Sequence, residues 1–523
     1  MAEETGDRDR NGRGGGQAPF DLIIIGGGVN GCAIARDAAG RGLKVLLLEA
    51  RDLAGGTSSA SSKLIHGGLR YLKYGEFRLV REALAERARL LAHSPHIAWP
   101  QRILIPRAPH HPRLAPALLL RLGLWLYDHL AERGPLPASE GLHLDREMRG
   151  RHGLVATAAR AFAYWDGATA DGRLVALIAR DAAERGARIL PRTAFVQACR
   201  KAGLWQVEAR TAAGGTSIWR ARALVNAAGP WADRVNGCIL PVSPKRAERH
   251  LTLVQGSHLV MRRLFESDDG LLLPQADGRI VFVLPFGPDH HLIGTTERRF
   301  TGDPADVRVD EDEIAYLLTA LRPWLARPPE REEIVHAFAG VRPLFDPKAR
   351  SMSAASRHYV LDLEDGGGSV APLLVVYGGK LTSFRALGEH ALDLLARFFA
   401  DAGPAWTKDA PLPGGEGLEG PAGFLRFRQR CAERWPFLDA ALCERLTRAY
   451  GTRITEVLGD ARSLDDLGRH FGHGLHAREV DHLVQREWAR TADDILWRRS
   501  LLGLDFAPDQ TRALARYLAS GEA

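Results

Sequence analysis

The sequence lacks paired cysteines, long apolar runs and blocks of like charge, and each absence removes a class of protein. Five cysteines in 523 residues, Cys32, Cys199, Cys238, Cys431 and Cys443, stand far apart with no C-x-x-C pair. Neither a disulfide framework nor a zinc, iron-sulfur or other metal site is expected, and a reducing compartment is the default. No stretch approaches the ~18 uninterrupted apolar residues of a membrane span, so nothing is expected to cross a bilayer. Residues 1–19 are polar and Gly-rich with no apolar centre, which reads as a disordered tail and not as a secretory leader. The formal charge of +7 is spread in Arg-rich pieces without a Lys/Arg block, so anionic small molecules or anionic lipid are expected as partners, and nucleic acid is not. No internal repeat is visible. What remains, 45% hydrophobic and 25% charged residues, is ordinary globular composition, long enough for two or three domains.

The most informative stretch is Phe20 to Glu49. An apolar, β-branched run (Phe20 to Ile25) stops at Gly26, a helical segment follows from Val29 to Ala39, and a second apolar run, Val45 to Leu48, ends in Glu49. Gly26, Gly28 and Gly31 fill G-x-G-x-x-G, which provides a tight turn, close backbone approach to a pyrophosphate and close helix-strand packing. Glu49 stands where a carboxylate accepts hydrogen bonds from a ribose. A dinucleotide is implied, with NAD and FAD both permitted.

Next comes a loop crowded with glycines and small hydroxyl residues, Gly55 to Val80, in which His66, Arg70 and Tyr71 arrive close together before a helix at Phe77 to Leu91. Such a loop lets N–H and hydroxyl groups approach a cofactor while Arg70 adds fixed positive charge. Arg102 to Leu136 is both basic and apolar. A helix of about five turns over Leu114 to Leu130 has two readings: a buried core helix, or a surface helix in a lipid headgroup region with Arg102, Arg107, Arg113, Arg121 and Arg133 near phosphates. Phe162 to Gly186 reads as a turn and an amphipathic helix. The hairpin-like pair Phe195 to Cys199 and Leu204 to Ala209 precedes a buried-looking strand, Ala223 to Gly229. Short alternating strands from His250 to Glu297 indicate an antiparallel sheet. Leu373 to Tyr377, a Gly-Gly-Lys-Leu-Thr turn and a helix from Ser383 to Phe399 repeat the strand-turn-helix form, and Gly403 to Gly423 reads as a linker before a helical remainder.

FDLIIIGGGVNG, GTSSASSKLIHGGLRYL, ALVNAAGPWAD, QGSH, LIGTTE, AGVRPL, YGGKLTSFR and ARTADDILWRR stand in one order along nearly the whole chain. In this combination the sequence resembles the FAD-dependent glycerol-3-phosphate dehydrogenases. The resemblance implies an α/β (α+β) protein: an FAD-binding Rossmann-like domain of glutathione-reductase/D-amino-acid-oxidase type, an antiparallel β substrate domain and an all-helical C-terminal domain. Its expected boundaries are FAD segments at about 20–90, 150–240 and 345–402, substrate segments at about 91–149 and 241–344, a linker at 403–423 and helices over 424–523. It further implies oxidation of sn-glycerol 3-phosphate to dihydroxyacetone phosphate, with electrons passed to membrane quinone by a peripheral protein on the cytoplasmic side of an inner membrane. An oxygen-using oxidase and a non-catalytic FAD-binding membrane protein are the alternatives. Monomer and homodimer both stay open.

By resemblance, Arg70 and Arg357, with Tyr71, bind the substrate phosphate. Arg342 and Lys380 polarise the reacting oxygen or stabilise reduced flavin, and His258 is the candidate base, with His66 also expected near flavin. The cofactor-contact candidates are Gly26, Gly28, Gly31, Glu49, Thr57, Ser58, Ser62, Leu64, His66, Gly68, Val196, Gly229, Trp231, Gly379, Leu381 and Thr382. Two departures from the family pattern are Gln255, where many relatives have Lys, and Glu297, where Asp is common. The absence of a cysteine cluster after the linker disfavours the anaerobic type.

Overall fold

Phe20–Ile25 forms β1, Val29–Gly40 forms α1 and Val45–Leu48 forms β2, the strand-helix-strand unit that the sequence announces. The structure, a computed structural model, describes residues 18–107, 116–241, 248, 250–346 and 358–521. The expected tail as far as residue 17, Arg113 and Arg357 lie outside the described residues. β1 pairs in parallel with β2 on one side and with Thr216–Asn226 on the other, whose last residues pair in parallel with Leu373–Tyr377. Two distant segments therefore return to the side of β1, and these parallel strands end at one edge, at Gly26, Glu49, Ala227 and Gly378. Ligands of open parallel sheets bind outside such carboxyl ends. The sheet is held by its two buried faces. Leu22 and Ile24 meet α1, Asp171–Glu184 and Phe384–Leu395, while Ile23 and Ile25 meet Trp205, Val207 and Tyr377. Each such side chain, buried, contributes roughly 1.5–3 kcal/mol.

A second, ten-stranded sheet is mostly antiparallel and includes the expected strands, Leu251–Arg262, Gly270–Pro274, Ile280–Phe286 and His290–Gly294. It also takes Ala98–Arg107, Arg160–Thr169 and Ile334–Phe345. The segment FAYWDGAT, expected as a turn, is thus a strand, paired with Ala98–Arg107 along its full length. The helix after it begins at Asp171. Ala161 and Ala163 face one core and Phe162 and Tyr164 the other, so both faces are apolar and no polar alternation marks the strand. This strand, from the segment expected in the FAD domain, is central to the second sheet.

The expected linker is packed. Trp406 covers Gly40 of α1 and its Nε1–H donates to the Asp37 carbonyl (3.2 Å), Leu412 joins the core of the first sheet, and a helix has begun by Gly420. Beyond it lie helices around Trp435, Leu446, Leu483 and Ile495. The small hairpin His470–Gly472 with Leu475–His476 means that this domain is not all-helical.

Two helices that contact the segment Leu69–Tyr74 bear on function: α2 (Phe77–His93) and α3 (Ala117–His129). α3 is shorter than the expected Leu114 to Leu130 helix among the described residues, and the core-helix reading of it is corrected. Only Leu124 and Tyr127 of α3 are buried, whereas Leu118 is 82% and Trp125 51% exposed. Arg102 pairs with Glu140 (2.6 Å) and Asp269 (3.3 Å), which removes it from the expected set of lipid-facing arginines.

Candidate active site

The turn after β1 has a steric logic. Gly26 has φ +111°, and a Cβ there would strike the Ala227 carbonyl; a Cβ on Gly31 would strike the carbonyl of Gly26. Gly31 accordingly packs α1 against the turn and does not line the cavity. Gly28 caps α1 without a side chain, leaving the helix N-terminus open toward the cavity, and Ser58 Oγ accepts from the Val29 N–H (3.0 Å). Both oxygens of Glu49 are held by backbone: Oε2 accepts from the Gly27 N–H and Oε1 from the Arg51 N–H, each at 2.7 Å. Burial raises its carboxyl above the ordinary value, outweighing the opposing pull of those two hydrogen bonds.

From this turn a cavity of about 1060 Å³ runs between the two sheets to Lys380. Of the cofactor-contact candidates, all except Gly31 line it: Gly26, Gly28, Glu49, Thr57, Ser58, Ser62, Leu64, His66, Gly68, Val196, Gly229, Trp231, Gly379, Leu381 and Thr382. Arg70, Tyr71, His258, Arg342 and Lys380 line it as well. A glycine turn without room for side chains, an open helix N-terminus and a fixed carboxylate at one end of a long cavity fit FAD by shape and by chemistry.

The end remote from Glu49 is electropositive. Arg342 lies on the long strand Ile334–Phe345 and is anchored by donating from Nη2 to the Thr296 carbonyl (3.0 Å) and to Thr295 Oγ1 (3.2 Å). Glu297 stands between two guanidiniums, 4.0 Å from Arg70 and 3.9 Å from Arg342. The Lys380 ammonium lies 3.9 Å from the Tyr71 ring centroid, a cation-π contact. His258 Nε2 is hydrogen-bonded to Ser62 Oγ (2.9 Å), and its ring stacks on Phe338. Burial, then Arg342 and Lys63, push His258 down to about 3, so the imidazole is neutral at neutral pH. His66 is pushed down to about 4 by burial and then by Lys380.

Strand alternation explains Gln255. Gly256 and His258 face the cavity, whereas Gln255 points to the helix Glu311–Leu321, donating to Glu313 Oε2 (2.5 Å) and to the Arg308 carbonyl (2.8 Å). The missing charge at this position therefore does not touch the cavity. Two features escaped the sequence reading. Glu297 was visible beside its Thr-Thr pair, but nothing there announced that it bridges two arginines. Tyr127 of α3 donates to Asp166 Oδ1 (2.7 Å), which also takes Arg87 (2.7 Å) and the Gly67 N–H (3.2 Å), beneath the His66 loop. No local signal joins these distant residues.

The family described as FAD dependent oxidoreductase matches residues 21–394, and that described as the C-terminal domain of alpha-glycerophosphate oxidase matches residues 405–520. A glycerol-3-phosphate dehydrogenase of Pseudomonas aeruginosa is 48% identical over 96% of this chain and 95% of its own. The aerobic glycerol-3-phosphate dehydrogenase of Escherichia coli is 46% identical over 95% and 97%, and the D-erythritol 1-phosphate dehydrogenase of Brucella abortus 47% identical over 92% and 94%. Among solved structures, a glycerol-3-phosphate dehydrogenase from Bacillus halodurans complexed with FAD superposes with TM-score 0.72 at 24% identity, covering 96% of this chain and 94% of that one. The architecture, the cavity and these similarities together mean that the chain belongs to the FAD-dependent oxidoreductases, within their glycerol-3-phosphate dehydrogenase family.

Proposed function

We infer that the protein oxidises sn-glycerol 3-phosphate to dihydroxyacetone phosphate and delivers the electrons to a membrane quinone. The observation that carries this reading is that one cavity, opening on the glycine turn, is lined by Arg70 and Arg342, which flank Glu297, and by Lys380 and the hydrogen-bonded His258–Ser62 pair. FAD supplies the two-electron acceptor. Arg70, with Tyr71, binds the phosphate, a role also expected of Arg357. Arg342, held rigidly by Thr295 and Thr296, faces the oxygen on which negative charge develops, where a preorganised donor has its largest effect. Neutral His258 takes the C2 hydroxyl proton while the C2 hydrogen departs with its electron pair. Lys380 offsets negative charge left at this end of the cavity. Glu297, between Arg70 and Arg342, offsets part of their mutual repulsion.

A second reading has its own support: the Brucella abortus relative named for D-erythritol 1-phosphate is as similar as those named for glycerol 3-phosphate. A phosphate clamp serves both esters, and the two readings part at the rest of the polyol. Steady-state comparison of both esters decides, with a higher kcat/KM expected for glycerol 3-phosphate and the reverse order overturning the substrate assignment. Run with a soluble quinone and with oxygen alone, the same assay tests the acceptor. Hydrogen peroxide in amounts equal to substrate consumed would replace the dehydrogenase reading by an oxidase.

For the membrane, the support is α3 and its surroundings. Leu118, Leu119, Leu122 and Trp125 form one exposed apolar face, the segment Leu69–Tyr74 packs against α3, and Tyr74 and Phe77 are exposed with Lys73, Arg78 and Arg81 beside them. An apolar face rimmed by cations fits an anionic headgroup layer. No helix among the described residues is long and apolar enough to cross a membrane. The proposed state is peripheral attachment through this face.

A further inference from the structure

The segment ARTADDILWRR belongs to the C-terminal domain, yet its charged side chains reach the cofactor turn. Asp52, three residues after Glu49, is buried, and its carboxylate accepts from Arg498 Nε (2.6 Å) and from Arg499 Nη2 and Nη1 (3.0 and 3.2 Å). Arg499 is itself fully buried and donates to the Glu487 carbonyl (2.8 Å from Nη2), so its position is set within the helical domain. Asp494 accepts from the N–H groups of Arg490 (2.8 Å) and Thr491 (2.9 Å) at the start of its own helix, takes Arg498 Nη2 (2.5 Å), and pairs with Arg192, which lines the cofactor cavity. Arg192 also donates to the Trp488 carbonyl (3.1 Å).

On the other side, the loop bearing Asp52 is one hydrogen-bonded unit with the glycine turn. The Ala54 N–H donates to the Gly27 carbonyl (3.0 Å), and Glu49 holds the N–H groups of Gly27 and Arg51. Buried ion pairs add little net stability against well-packed apolar groups, but they fix geometry once formed. We propose that Arg498, Arg499 and Asp494 are positioning residues for the cofactor: through Asp52 and Arg192 they hold the Glu49 loop in the form that grips the adenosine end of FAD. The helical domain is then a structural part of the FAD site and not only a cap. This rests on the reading that FAD lies with its ribose at Glu49.

The test uses the holoenzyme and follows the release of FAD by the rise of free-flavin fluorescence on dilution. Arg498→Gln should release FAD about tenfold faster and Asp52→Asn, which also loses Arg499, at least as fast, with the double variant well short of the product of the two effects because the Arg498–Asp52 contact is common to both. The KM for substrate, set at the opposite end of the cavity, is expected to hold, and Arg498→Lys should restore slow release in part. Arg192→Gln, partly exposed, provides the same readout where a buried substitution prevents folding. Variants that melt at lower temperature yet release FAD at the parent's rate would reduce the network to a structural role and overturn the proposal. A parent chain that purifies without FAD would instead remove the cofactor reading on which it rests.

Discussion

At the scale of single residues, the cationic end of the cavity is built before any ligand arrives. Arg342 is already held by Thr295 Oγ1 and the Thr296 carbonyl, so little reorganisation is left for the reaction. Arg342→Ala is expected to lower kcat/KM by about 10²–10³-fold, the usual cost of removing one preorganised donor to a developing oxyanion; a change within threefold in steady-state assays would deny it that place. Arg70→Ala should lose activity and also the preference for glycerol 3-phosphate over glycerol, and an unchanged preference ratio would argue against a phosphate contact. His258→Asn keeps a group near Ser62 but removes the proton acceptor, so turnover should fall by about 10²-fold or more. Retained turnover would move the base elsewhere, with His66 next in line. What was legible at this scale follows from locality. Gly26, Gly28 and Gly31 announce themselves because their spacing within six positions of chain is itself the signal, even though the Ala227 carbonyl that crowds Gly26 is brought there by the fold. Glu297 and Asp52 do not, because their partners are brought to them only by the fold.

At the scale of elements, α3 joins two environments. Its outer face is apolar and open, while Tyr127 on its inner face bonds Asp166 and the Gly67 N–H at the wall of the cavity. Replacing Leu118, Leu122 and Trp125 by Ser, Ser and Gln removes exposed apolar area without touching Leu124 or Tyr127. Such a variant is expected to leave phosphatidylglycerol vesicles in a flotation assay while keeping dye-linked activity. Continued binding to the vesicles would move the attachment surface elsewhere. The sequence left these two roles open because a run of Leu and Trp is the same signal for a core and for a lipid-facing helix. It hid the strand Arg160–Thr169 for a related reason: with cores on both faces, its residues carry no polar-apolar alternation. The Gly- and Pro-rich stretch after Gly403 reads as a linker by composition, yet Trp406 and Leu412 tie it to the first sheet.

At the scale of the molecule, three buried histidines and the half-buried, cavity-lining His66 are kept neutral, with desolvation the largest cause in each: His96 and His258 pushed down to about 3, His66 and His291 to about 4. His291 shows the reason locally, since its Nδ1 accepts from the Leu264 N–H (2.9 Å) and is not free for a proton. The unfolded chain binds these protons near 6.5 and the folded chain only near 3 to 4. Between those values the unfolded state holds more protons, so stability is full above about pH 6.5 and falls as the pH drops, by up to about 1.4 kcal/mol per histidine per pH unit. The melting temperature should therefore decline steeply from pH 6.5 to 4.5, and a flat profile would show that these rings take up protons without unfolding. The same burial that keeps His258 neutral encloses the cavity, so stability and chemistry share one cause. The central claim, that the cavity joins FAD to a phosphate-bearing alcohol, is tested most directly by anaerobic mixing of the yellow protein with glycerol 3-phosphate in a stopped-flow spectrophotometer. Bleaching of the flavin band with one substrate oxidised per FAD is the expected result; an unchanged band at saturating glycerol 3-phosphate would contradict it.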